Sequence, residues 1–95
     1  SEKAENKVMK KEGAIDRLKE LLPRLAALQN WTQTDIDSAF NQLADEKKLK
    51  PFIWYPIVRF SVSGTISGPD FIPMLEVLGK KRVLSRLELA INKYY

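Results

Sequence analysis

Between Arg59 and Arg82 the chain is cut twice by glycine, and the cuts restrict what it can build. The first segment, Arg59-Phe60-Ser61-Val62-Ser63, stops at Gly64. The second runs from Phe71 to Leu78 behind Ser67-Gly68-Pro69-Asp70 and stops at Gly79, where Lys80-Lys81-Arg82 begins a third. Glycine reaches the positive-φ conformation that closes a helix, and proline is tolerated in a helix's first turn. The punctuation therefore favours short helices, with Pro69 at the first helical position, Asp70 in the first turn, and Pro73 early enough to forfeit little. Arg59 is the only cation between Lys50 and Lys80, in a strongly apolar stretch.

Upstream, Ala14, Leu18, Leu21, Leu25 and Leu28 fall at helical spacing. Pro23 lacks an amide donor and disfavours the helical conformation at Leu22, so a kink or break is expected there. Thr32 has the chemistry of an N-cap with Asp35 three residues on, and Ile36, Ala39, Phe40, Leu43 and Ala44 form one apolar stripe, predicting a helix over 33–47. A last helix over 80–93 would bury Val83, Leu84, Leu87 and Ile91 and expose Lys81, Arg82, Ser85 and Arg86. Phe52, Trp54, Tyr55 and Trp31 read as packing groups, and Tyr94 and Tyr95 as a frayed end. Residues 55–63 are ambiguous: Val58 to Ser63 alternates as a strand does, yet Val58 and Val62 also stand four apart.

The chain has 95 residues, enough for one modest core, with no apolar run long enough to span a membrane. It holds neither cysteine nor histidine. Disulfides, thiolate chemistry, Ser-His-Asp triads and His-based metal sites are excluded, and no glycine-rich phosphate loop appears. No catalytic residue and no metal ligand is expected. Beginning at Ser1, it reads as a piece of a longer protein, with residues 1–12 a linker or the end of a preceding helix and 13–95 the helical domain. Net charge is +4, weighted to the C-terminal end by Lys80, Lys81, Arg82, Arg86 and Lys93. That pattern suits a nucleic-acid contact, although a charge run is more often a solvated face.

Arg59 five residues before Gly64, Pro69 five after it, Phe71 two past the proline, and Leu78-Gly79-Lys80 followed by further basic residues together resemble the C-terminal end of bacterial glutamyl-tRNA synthetases. The resemblance covers roughly residues 13–93. It departs from the family pattern at Pro56-Ile57-Val58-Arg59, where the proline lies one residue upstream, at Ser61-Val62-Ser63-Gly64, and at the acidic Asp70. It implies an all-α fold, a small bundle or cage of about five to six helices, in which 55–63 is a helix closed by Gly64.

The resemblance also implies a role: gripping a tRNA anticodon loop through Arg59, Gly68, Pro69, Asp70 and Phe71. A guanidinium fork matches the paired acceptors on a cytosine edge, glycine lets a base approach the backbone, and Phe71 could stack on a splayed base. The bland alternatives are an Arg59 ion pair with Asp70 or Glu76 and a core role for Phe71. Lys80, Lys81, Arg82 and Arg86 are candidate phosphate contacts. The parent would be a cytoplasmic, monomeric glutamate–tRNA ligase using ATP and magnesium, with no cofactor in this piece. Whether it also charges glutamine tRNA stays open. A helical protein-interaction module and the anticodon-binding domain of a class I lysyl-type synthetase are the alternatives.

Overall fold

The computed structural model describes residues 2–65 and 67–94. Among them are six α-helices, one 3₁₀ turn and no strand: α1 (Glu2–Val8), α2 (Ala14–Ala26), α3 (Gln33–Lys47), the turn Pro51–Ile53, α4 (Tyr55–Ser63), α5 (Phe71–Leu78) and α6 (Lys80–Tyr94). The all-α expectation holds.

Each helix follows from local chemistry, with a few departures from expectation. Helix α2 buries Ala14, Leu18, Leu21 and Leu25 and is not broken at Pro23. Pro23 forfeits its amide's bond to the Lys19 carbonyl, and the fully buried Leu21 and Leu25 that flank it hold the turn helical. Helix α3 has the expected bounds: the Thr32 hydroxyl accepts from the Asp35 amide at 3.1 Å. It ends at Lys48, which adopts left-handed geometry at φ 58°.

Helix α4 settles the ambiguous segment, and Gly64 closes it at φ 76° with its amide bonded to the Phe60 carbonyl. The serines that gave the strand-like alternation bond back to carbonyls one turn earlier, Ser61 to Ile57 at 2.8 Å and Ser63 to Arg59 at 2.7 Å.

Helix α5 starts at Phe71, two residues after the expected Pro69. Pro73 explains the shift. A helix begun at Pro69 would direct the Pro73 ring against the Pro69 carbonyl, whereas a start at Phe71 puts Pro73 where no amide is needed. Asp70 is the N-cap, without a side-chain capping bond.

Helix α6 buries Val83, Leu87 and Ala90, while Leu84 and Ile91 are only half-buried. The stripe is thus rotated toward the smaller Ala90.

The core is a single cluster contributed by every helix. Helix α6 packs against α2, α4 and α5, α3 against α2 and α5, and α1 against α4. Val8 and Met9 are buried in the same cluster as α2. Trp54 is fully buried and its indole donates to the Arg17 carbonyl at 3.2 Å. Trp31 donates to the Leu75 carbonyl at 2.8 Å and fastens α5. Phe52 departs from its expected packing role at 62% exposure. Tyr94 is not frayed: it closes α6 and its hydroxyl donates to Glu5 of α1. Tyr95 lies outside the described residues.

Candidate nucleic-acid interface

The end of α4, Gly68 in the segment that follows and the start of α5 converge on Arg59. Hydroxyls order this loop: Ser63 and Thr65 lie 3.1 Å apart, and Thr65 donates to the Ser67 carbonyl at 2.8 Å. Ser67, Gly68, Pro69 and Asp70 are all exposed. The loop brings Gly68 back onto α4, against the Arg59 guanidinium.

Arg59 Nη1 lies 3.8 Å from the Met74 sulfur, and the guanidinium carbon is 5.6 Å from the Phe71 ring centroid. The bland ion-pair alternative is absent among the described residues. Asp70 makes no ion pair with it, and the Glu76 carboxylate accepts instead from Gln33 at 3.0 Å. A half-buried arginine without a carboxylate keeps its charge and most of its planar donors for a ligand.

Phe71 is 7% exposed. Tyr55 stacks on it with centroids 4.3 Å apart, and Phe40 meets it edge-on at 5.5 Å. The ring is therefore part of the core that supports Arg59, and is too enclosed to receive a base. The Tyr55 hydroxyl is held above its ordinary value of 10.0 by burial and then by Asp37, so it stays a neutral donor.

The four candidate phosphate contacts on α6 divide into two pairs. Lys80 donates to the Leu28 carbonyl just past α2, and Arg86, expected to be exposed, is half-buried and donates to the Val62 carbonyl at the end of α4. Both complement carbonyl ends of helices, where a cation is favoured. Lys81 and Arg82 are exposed and line a shallow groove of about 580 Å³ that ends at the exposed Leu89. These two remain open to phosphate.

The sequence reading missed Met74 and Tyr55 as supports. Both stood at apolar-face positions, and nothing in their spacing tells that Met74 meets the guanidinium or that Tyr55 stacks on Phe71. Among the described residues no group of three acids could hold a metal ion, and no helix is long and apolar enough to cross a membrane.

Comparison with known proteins decides the family. The family model described as "Anticodon binding domain" matches residues 1–91. The chain belongs to the anticodon binding domain family. It is 45% identical over 85 residues to a glutamate–tRNA ligase of Deinococcus radiodurans, covering 85% of this chain and 18% of that protein. It is 36% identical over 91 residues to a glutamate–tRNA ligase of Thermus thermophilus, covering 96% and 19%. A crystal structure of a glutamate tRNA ligase from Elizabethkingia meningosepticum, in complex with its amino acid, superposes with a TM-score of 0.89 at 26% identity. The match covers all of this chain and 18% of that one. This anticodon binding domain thus spans about 18% of the length of the relatives it matches.

Proposed function

We propose that this chain is the C-terminal domain of a glutamate–tRNA ligase and grips the anticodon loop of a glutamate-accepting tRNA, with Arg59 reading the first anticodon base. The observation that carries this reading is the guanidinium at the joint of α4 and α5, ordered by Phe71 and Met74 yet without a carboxylate partner. Its donors match a base edge, while Lys81 and Arg82 reach for phosphates. Family membership supplies the ligand class.

Gly68, Pro69 and Asp70 form the exposed rim of the site. Asp70 would repel a phosphate, so contacts here run through bases and backbone amides. The parent joins glutamate to tRNA in the cytoplasm as a monomer. The ATP and magnesium that drive this ligation would be held by the rest of the parent. Here the chain only binds and positions.

The test is binding of this chain to glutamate and lysine tRNAs across a salt series. One small module, with only Lys81 and Arg82 of its candidate phosphate contacts exposed, should bind at about micromolar affinity and weaken as salt rises. Preference for the glutamate tRNA is expected. Indifference to salt contradicts RNA binding, and preference for the lysine tRNA reassigns the parent.

One observation favours a second reading, a helical module that docks a protein. The exposed Phe52 lies in a groove of about 440 Å³ with Val8, Ile53, Pro56 and Ile57, rimmed by Lys7, Lys11 and Arg17. In that case Phe52→Ser abolishes partner binding, and the salt series shows no RNA affinity.

A further inference from the structure

We propose that Gly68 is a positioning residue, whose missing side chain makes room for the Arg59 guanidinium while Met74 and Phe71 hold it from elsewhere. The inference rests on Arg59 as the base reader, and it changes the role of the glycine. From sequence, Gly68 would let a base approach the backbone. In the structure that space is taken by the protein's own arginine.

The geometry is specific to this position. A Cβ built on Gly68 would lie 3.1 Å from Arg59 Nη1, tighter than ordinary contact, whereas one on Gly13, Gly64 or Gly79 would meet nothing within 4 Å. Gly68 also has φ 153°, which L side chains rarely adopt. Because the opposing atom is the end of a flexible side chain, an alanine here would displace Arg59 rather than disrupt the core.

The other two holders are soft. A thioether is a weak acceptor, and an aromatic face attracts the cation without engaging donors in the guanidinium plane. A carboxylate would have consumed both charge and donors. Glycine, sulfur and ring together orient the fork and leave it unneutralised, so less freedom is lost when RNA binds.

A double-mutant cycle on this chain tests the proposal, using an anticodon stem-loop RNA with cytosine at the first position. Gly68→Ala should weaken binding about 3- to 30-fold when Arg59 is present and have no further effect in an Arg59→Ala background. An equal loss in both backgrounds overturns the proposal, because the glycine would then serve the RNA or the loop directly.

A second readout needs no RNA. The Arg59 side-chain proton resonances, shifted upfield by the Phe71 ring, should move toward free-arginine values in Gly68→Ala while the Tyr55 and Phe71 rings keep theirs. Unmoved Arg59 resonances overturn the proposal. If Gly68→Ala fails to fold alone but folds in the Arg59→Ala background, the clash with the guanidinium is itself shown; failure to fold in both backgrounds overturns the proposal. If Arg59→Ala leaves RNA binding intact, the base-reader reading falls, and the resonances alone decide whether Gly68 positions the arginine.

Discussion

Arg86 of α6 donates to the Val62 carbonyl, one of the last-turn carbonyls that α4 leaves without a helical partner. This bond fastens the end of the helix that carries Arg59. Arg86→Leu should destabilise the fold by about 1–2 kcal/mol, the lower part of the range for charged hydrogen bonds because the group is only half-buried. For a domain of this size, the melting temperature should fall about 4–8 °C for each kcal/mol. A melt of the variant checks this.

Lys81 and Arg82 should behave oppositely. Each is exposed, so Lys81→Ala and Arg82→Ala should leave the melting temperature unchanged. Each should also flatten the logarithmic salt dependence of RNA binding by about 0.7–0.9. Titrations of tRNA at several salt concentrations measure the slope.

Lys48 ends α3 in left-handed geometry, the only non-glycine residue with positive φ among the described residues. A β-carbon is disfavoured there, and its amide already bonds to the Asp45 carbonyl as a helix cap. Lys48→Gly should stabilise the chain by about 0.5–1 kcal/mol, read from urea unfolding.

Two carboxylates contribute to the acid sensitivity of the fold. Glu46 is held below its ordinary value of 4.5 first by hydrogen bonds from Arg24, which reach it at 2.6 and 2.7 Å. Glu5 is lowered first by the Tyr94 hydroxyl, then by Lys93 and Lys10, against the opposing effect of burial. A carboxylate with a depressed folded pKa contributes stability above its unfolded value and loses it as pH falls through the folded one. The melting temperature should therefore be flat near neutrality and drop below about pH 4.5. Glu46→Gln should melt lower at pH 7 and show a weaker acid dependence.

Most of the fold was legible where local chemistry is decisive. Thr32, the Ile36-to-Ala44 stripe and Gly64 each specify a boundary or a face through residues a few positions apart. The start of α5 was misjudged because Pro69 is a good first residue in isolation, and only Pro73 rules it out. The roles of Lys80 and Arg86 were illegible because their acceptors, Leu28 and Val62, lie 52 and 24 residues away. The burial of Phe71 and exposure of Phe52 depend on which neighbour covers each ring, and composition carries none of that. Arg59 was singled out by its isolation among apolar residues, but its supports, Phe71 and Met74, stand on the next helix and meet it only through tertiary packing.

The most direct measurement is charging by the complete ligase carrying Arg59→Ala, with wild-type and first-anticodon-base-mutant tRNA, beside its melting temperature. A lost bidentate contact is worth about 1–3 kcal/mol, so catalytic efficiency on the wild-type tRNA should fall roughly 5- to 150-fold. The melting temperature should hold, and discrimination against the altered base should disappear. Arg59→Lys should recover only part, since an ammonium cannot present two donors in the plane of a base. A well-folded Arg59→Ala ligase that still rejects the altered first base would show that Arg59 is not the reader.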